Sequence, residues 1–175
     1  MTDWINEFKK SKIPFSWSEL KIGRFGYSNK FYLPAIIDDD VVITYTLNYL
    51  SKHENENNQY LWDLGSLTAP YNESEIYKYL SLVSSSERKD LKAYFRWRWI
   101  LVNNLIRELF DKDGIDALLE ITEFWLKLES PVDKPYQYQG VNNELTLSEF
   151  YTDKNLHKVI YDHIKWLRKE KNNLL

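Results

Sequence analysis

The residues of this 175-residue chain that can do chemistry are few in kind: three histidines (His53, His157 and His163), twenty-six carboxylates, and no cysteine. Without a thiol, cysteine nucleophiles, thiolate metal sites and disulfides are excluded. The histidines form neither H-x-x-x-H nor H-E-x-x-H, so a zinc site would have to be assembled almost entirely from carboxylates. No metal and no cofactor is expected. Gly23 and Gly26, in GRFG, match neither G-x-G-x-x-G nor G-x-x-x-x-G-K, so a phosphate cradle is missing. There is no G-x-S-x-G elbow, and the serines of SLVSSSERK read as a helix junction. No residue is assigned a catalytic role.

What remains is a set of side chains placed against their surroundings. In YFRWRWILVNNL, Tyr94 to Leu105, arginine and tryptophan alternate ahead of an apolar run. On a helical wheel Leu91, Phe95, Val102, Ile106 and Leu109 gather on one side. Arg96 and Arg107 fall opposite, where a solvated role is expected. Arg98 projects into the apolar stripe and must meet carboxylates, because a buried charge that loses its partner costs about 3 to 5 kcal/mol. Asp63, Asp116 and Glu123 are the candidate partners. His163, among Leu156, Val159, Ile160 and Leu167, reads as a second buried polar group. If the chain is an enzyme, its site is expected near Arg98 and His163.

Trp97 lies toward the outer side of the same wheel. It either anchors a partner or packs beneath ESPVDKPYQYQG, and internal packing is the preferred expectation. Arg96, Trp97 and Arg107 together would be the footprint of a nucleic-acid module. Asp116, Glu120 and Glu123 line one strip of a later helix, followed by Lys127. Such a strip is ordinarily solvated; as a functional feature it is an electronegative surface for a basic protein partner.

The composition narrows the classes. Twenty-six acidic against 23 basic residues give a formal charge of −3, which works against general affinity for nucleic-acid backbone. No stretch approaches the roughly 20 apolar residues of a membrane span, and MTDWINEFKKSK lacks a signal-peptide core, so a cytoplasmic protein is expected. Aromatic residues make up 16% of the chain, with 7 Trp and 13 Tyr. Some should be exposed, and Trp and Tyr recur as interface anchors.

The elements that must position these residues read as helices. Trp4, Ile5 and Phe8 share a face behind a Thr2 cap, and Ser16 with Glu19 forms a capping box for a short helix ended by Gly23. GRFGYSNKFYLP reads as a loop. IDDDVVITYTLNYLSKH is β-branched, yet Asp38 to Asp40 at its start and Lys52 and His53 at its end match a helix dipole, so a helix is expected. A short helix through Trp62 stops at Gly65, and another is capped by Asn72. A long helix starts at Ser85 or Ser86 and runs to about Phe110, turns at DKDG, and is followed by Ile115 to Leu128 as an antiparallel hairpin. Leu147 to Tyr151 and Asp153 to about Lys171 close the chain. The expectation is an all-α single globular domain, 1–175, of about seven to eight helices around that hairpin.

FSWSELKIG near the start and the central RWRWILVNNLIRELFDKDGIDALLEITEFWLKLESPVD resemble the bacterial family DUF2247, from about Phe15 to about Tyr138. The resemblance implies a mostly helical bacterial protein of uncharacterised activity, with no agreed functional residues to carry over. Such proteins are associated with immunity partners in toxin loci. Together with the residue reading, this gives the functional expectation: a non-enzymatic, protein-binding protein that neutralises a cognate toxin by occlusion. Trp97, Asp116, Glu120 and Glu123 are its expected contacts.

Overall fold

The computed structural model describes residues 3–84, 87–109 and 112–175. Nine helices are present among them, α1 (Trp4–Ser11), α2 (Trp17–Phe25), α3 (Asp39–Leu50), α4 (Gln59–Gly65), α5 (Glu73–Val83), α6 (Glu87–Glu108), α7 (Gly114–Lys127), α8 (Leu147–Phe150) and α9 (Asp153–Leu174). The sole sheet among these residues pairs β1 (Tyr27–Ser28) with β2 (Tyr32–Leu33), inside the segment read as a loop. The protein is therefore predominantly α-helical. No described helix is long and apolar enough to cross a membrane.

The chain divides into two compact units, Met1–Asn29 with Leu33–Trp97, and Lys30–Tyr32 with Arg98–Leu175. The division falls within α6, so Arg96 and Trp97 belong to the first unit and Arg98 to the second.

In the first unit, Asp3 caps α1 by accepting from the Asn6 amide at 3.1 Å; Thr2, the expected cap, lies outside the described residues. The Ser16–Glu19 capping box is formed, but Gly23 does not end α2. The helix runs on to Phe25 and ends at Gly26, whose φ of 74° places it in the left-handed region that glycine tolerates best. The contested segment is helical. Asp38 Oδ1 accepts from the Val41 amide at 3.0 Å, and the Thr46 hydroxyl donates to the Val42 carbonyl at 2.9 Å, which satisfies a β-branched polar side chain within the helix. Lys52 and His53 lie past the end of α3 rather than in its last turn. α3 packs on α4, α4 on α5, and α5 on α2.

In the second unit α7 packs on α9. The Gly114 amide donates to Asp153 Oδ1 at 3.0 Å where both helices begin, and Trp125 meets His163 about ten residues further along each. The two helices thus run side by side in the same direction. The expected Ser85 or Ser86 cap of α6, its expected end at Phe110, and part of the DKDG turn fall on residues outside the described set.

Candidate functional site

Trp97 is completely buried, in the first unit. Its indole N–H donates to the Glu19 carbonyl at 2.6 Å, and its ring meets Trp4, Phe8 and Phe15 edge-on at centroid distances of 6.1, 4.9 and 6.4 Å. A Cβ at Gly23 would come within 2.5 Å of the Trp97 ring, which is why the glycine sits inside α2. A side chain so enclosed cannot anchor a partner; within the first unit it packs on Trp4, Phe8 and Phe15. It offers no face on which a base could stack.

Arg96 departs from its expected solvated role as well. Its Nη1 lies 2.7 Å from Glu19 Oε1, and Glu19 is itself buried, its Oε2 accepting from the Ser16 amide at 2.8 Å. One carboxylate therefore closes the capping box and neutralises an arginine. The wheel failed for a specific reason: no residue from Ala93 through Ile106 is exposed, so α6 has no outer face over that span.

Arg98 is 1% exposed and forms a bidentate pair with Asp133, Nη1 to Oδ1 at 2.8 Å and Nη2 to Oδ2 at 2.6 Å. The partner is thus neither Asp63 nor Asp116 nor Glu123. It comes from the irregular segment after α7, which sequence spacing cannot place. Burial pushes the Asp133 carboxyl up, but hydrogen bonding to Arg98 and its charge outweigh that and hold it below the usual carboxylate range. The guanidinium also lies over the Trp166 ring at 5.1 Å. Trp166 packs edge-on against Trp125, whose indole N–H donates to His163 Nε2 at 2.9 Å.

His163 Nδ1 lies 2.7 Å from the Val159 carbonyl. With Nε2 accepting, Nδ1 must carry the proton and donate it, so the ring is neutral. Burial pushes its pKa down to about 4, against the raising effects of the Val159 carbonyl and the Asp162 charge. Arg98 and His163 thus belong to one aromatic cluster, Arg98–Trp166–Trp125–His163, with both imidazole nitrogens committed. Among the described residues no group of three or more His, Asp or Glu is placed to hold a metal ion.

The outer face of α7 has a different character. Ala117, Leu118, Ile121 and Trp125 point inward, while Ile115, Leu119 and Leu126 are 54%, 43% and 57% exposed. At about 100° per residue these three fall within about 40° of one another, an apolar stripe on one side of the helix with half-buried Thr122 between Leu119 and Leu126. Asp116, Glu120 and Glu123 occupy the adjoining strip; Asp116 and Glu123 are exposed, and half-buried Glu120 is ion-paired with Lys112. The Asp113 carboxylate caps the helix on the Ile115 and Asp116 amides. Sequence reasoning found the acidic strip and missed the stripe beside it. The signal was present: Ile115, Leu119 and Leu126 repeat at steps of four and seven, offset from the core positions, but an apolar residue on a helix reads as core by default.

A family model described as an uncharacterized protein conserved in bacteria, DUF2247, matches residues 5–171. The chain belongs to the DUF2247 family. The match is wider than the Phe15 to Tyr138 span of the quoted resemblance and takes in both compact units, from α1 to the last turn of α9. No curated protein and no solved structure matches the chain. Within this DUF2247 chain, then, the buried clusters and the α7 face are read from their own chemistry. Arg98 and His163 share one cluster of the second unit, the acidic strip lies on α7, and Trp97 belongs to the first unit.

Proposed function

We propose that this DUF2247 protein is a non-enzymatic binding protein that docks a basic, amphipathic surface of a protein partner on α7, as an immunity protein does when it occludes a toxin. One observation carries the reading: the exposed stripe of Ile115, Leu119 and Leu126 lies alongside the acidic strip of Asp116, Glu120 and Glu123. An apolar centre supplies affinity through burial, and flanking carboxylates orient and accelerate encounter with a cationic surface. The side chains best suited to acid-base work argue against catalysis in the second unit. Both nitrogens of His163 are committed to structural partners, and the Arg98 guanidinium is held by Asp133.

The test is capture from the native host with tagged wild-type chain and with the Leu119→Ser/Leu126→Ser double variant. A protein recovered in equal amount with the wild type and lost from the variant supports the reading. The captured protein, expressed alone, should arrest growth, and co-expression of this chain should restore it. Equal capture by both chains would refute docking on α7, and a partner without toxicity would refute the immunity role.

A further inference from the structure

In the first unit a groove of about 860 Å³ runs between α1 and α3. Its α3 wall is built by Val41, Thr44, Tyr45, Asn48 and Tyr49, residues three and four apart that share one face of the helix, with Lys52 just past its end. Twelve residues of helix make this roughly 18 Å. Trp4, Ile5 and Lys9 of α1 contribute the other wall.

Ring contacts join the two walls: Trp4 and Phe8 of α1 both meet Trp97, at 6.1 and 4.9 Å, and Phe8 is linked to Tyr45 of α3 through Phe15. Charge separates along α3. Asp38 and Asp40 stand where it begins, and Lys52 lies just past its end, beside His53. His53 is held there by stacking on Tyr49 at 4.0 Å. Between the ends half-buried Trp4, Ile5, Val41, Tyr45 and Tyr49 line the groove, with exposed Asn6, Thr44 and Asn48 among them.

A trough of this length, with half-buried apolar and aromatic side chains along its middle and opposite charge at its ends, matches the dimensions and chemistry of a single amphipathic helix. Helices ordinarily carry carboxylates in the first turn and cations in the last, complementing their dipole. We infer that the α1–α3 groove docks one amphipathic helix of a protein partner, lying antiparallel to α3, with its basic last turn at Asp38 and Asp40 and its acidic first turn at Lys52. This site is separate from α7 and does not rest on the function proposed for that face.

The experiment selects from a displayed library of random peptides about 15 residues long, long enough for a helix of this span. Wild-type chain is the bait and a Thr44→Trp/Asn48→Trp chain, with the groove filled, is the counter-selection. An unchanged urea midpoint establishes that the filled chain is folded, since both positions are exposed. The expected winners carry apolar residues at i, i+3, i+4 and i+7, Asp or Glu in the first turn, and Lys or Arg in the last. Binding of these peptides to a Lys52→Glu chain should be roughly tenfold weaker, as for reversal of a complementary charge. Failure to enrich any groove-dependent peptide overturns the inference, as does enrichment without charge polarity or with the opposite polarity. All of these variants keep α7 intact, so the two sites stand or fall separately.

Discussion

The indole of Trp125 on α7 donates to Nε2 of His163 on α9 at 2.9 Å, and this single bond fixes the imidazole in its neutral, Nδ1-protonated form. Charging the ring would place two donors face to face inside a dry cluster.

A pH dependence follows. The folded pKa of His163 is about 4, below the ordinary 6.5, so between those values the unfolded chain binds a proton that the folded chain does not. Stability from this group is fully present above about pH 6.5 and is lost as pH falls toward about 4, by on the order of 3 kcal/mol. Urea midpoints of wild type and His163→Phe at pH 7, 5.5 and 4.5 isolate it from the carboxylates, which titrate in both chains. The variant should lose less stability over this range; parallel curves would show that His163 is not held neutral.

Removing either member of the Arg98–Asp133 pair should destabilise the fold. Arg98→Ala loses the bidentate pair and the packing of the buried stem, about 2 to 4 kcal/mol. Asp133→Asn leaves the buried guanidinium without its counter-charge and should cost about 2 kcal/mol or more, short of the full cost for a buried pair because the Asp133 side chain is half exposed. Chemical denaturation of both, with Lys127→Ala as an exposed control, checks these costs.

Trp97 and Gly23 should behave as a coupled pair. Trp97→Ala is expected to cost about 3 to 5 kcal/mol, as for a buried tryptophan. Gly23→Ala should destabilise the wild type, because the new methyl would stand 2.5 Å from the indole. In a Trp97→Leu background the same change should cost less, giving a coupling of about 1 kcal/mol or more in a double-mutant cycle. Additive costs would mean that the contact is relieved by movement elsewhere.

On α7, Leu119→Ser and Leu126→Ser should change stability by no more than about 0.5 kcal/mol, whereas Ile121→Ser should cost several times more. Thermal unfolding reads this difference. A large loss for Leu119→Ser would make the stripe structural and remove it from the proposed docking face.

The helices were legible in the sequence wherever a local signal could decide them. The Ser16–Glu19 box, the Asn72 cap and the acidic start at Asp38 act within one turn of chain, so neighbours in sequence are the whole cause. Even the β-branched VVIT run was decided correctly by its cap. Burial of Arg98 and His163 was likewise implied by their place on apolar faces. The partners were not, because Asp133 reaches Arg98 from an irregular segment 35 residues away, and nothing periodic encodes that approach.

The tertiary structure also decided how many faces of each helix are covered. A helical wheel assumes one buried side. α6 violates that assumption between Ala93 and Ile106, so Arg96 found an internal partner where solvent was expected, and Trp97 packs internally from the side read as outer. α7 violates it in the other direction, leaving Ile115, Leu119 and Leu126 outside. Local periodicity determined that these segments are helices, since that depends on backbone hydrogen bonds and caps a few residues apart. Which apolar side chains were buried depended on the surfaces brought against them by distant parts of the chain, and that information is set only when the helices pack.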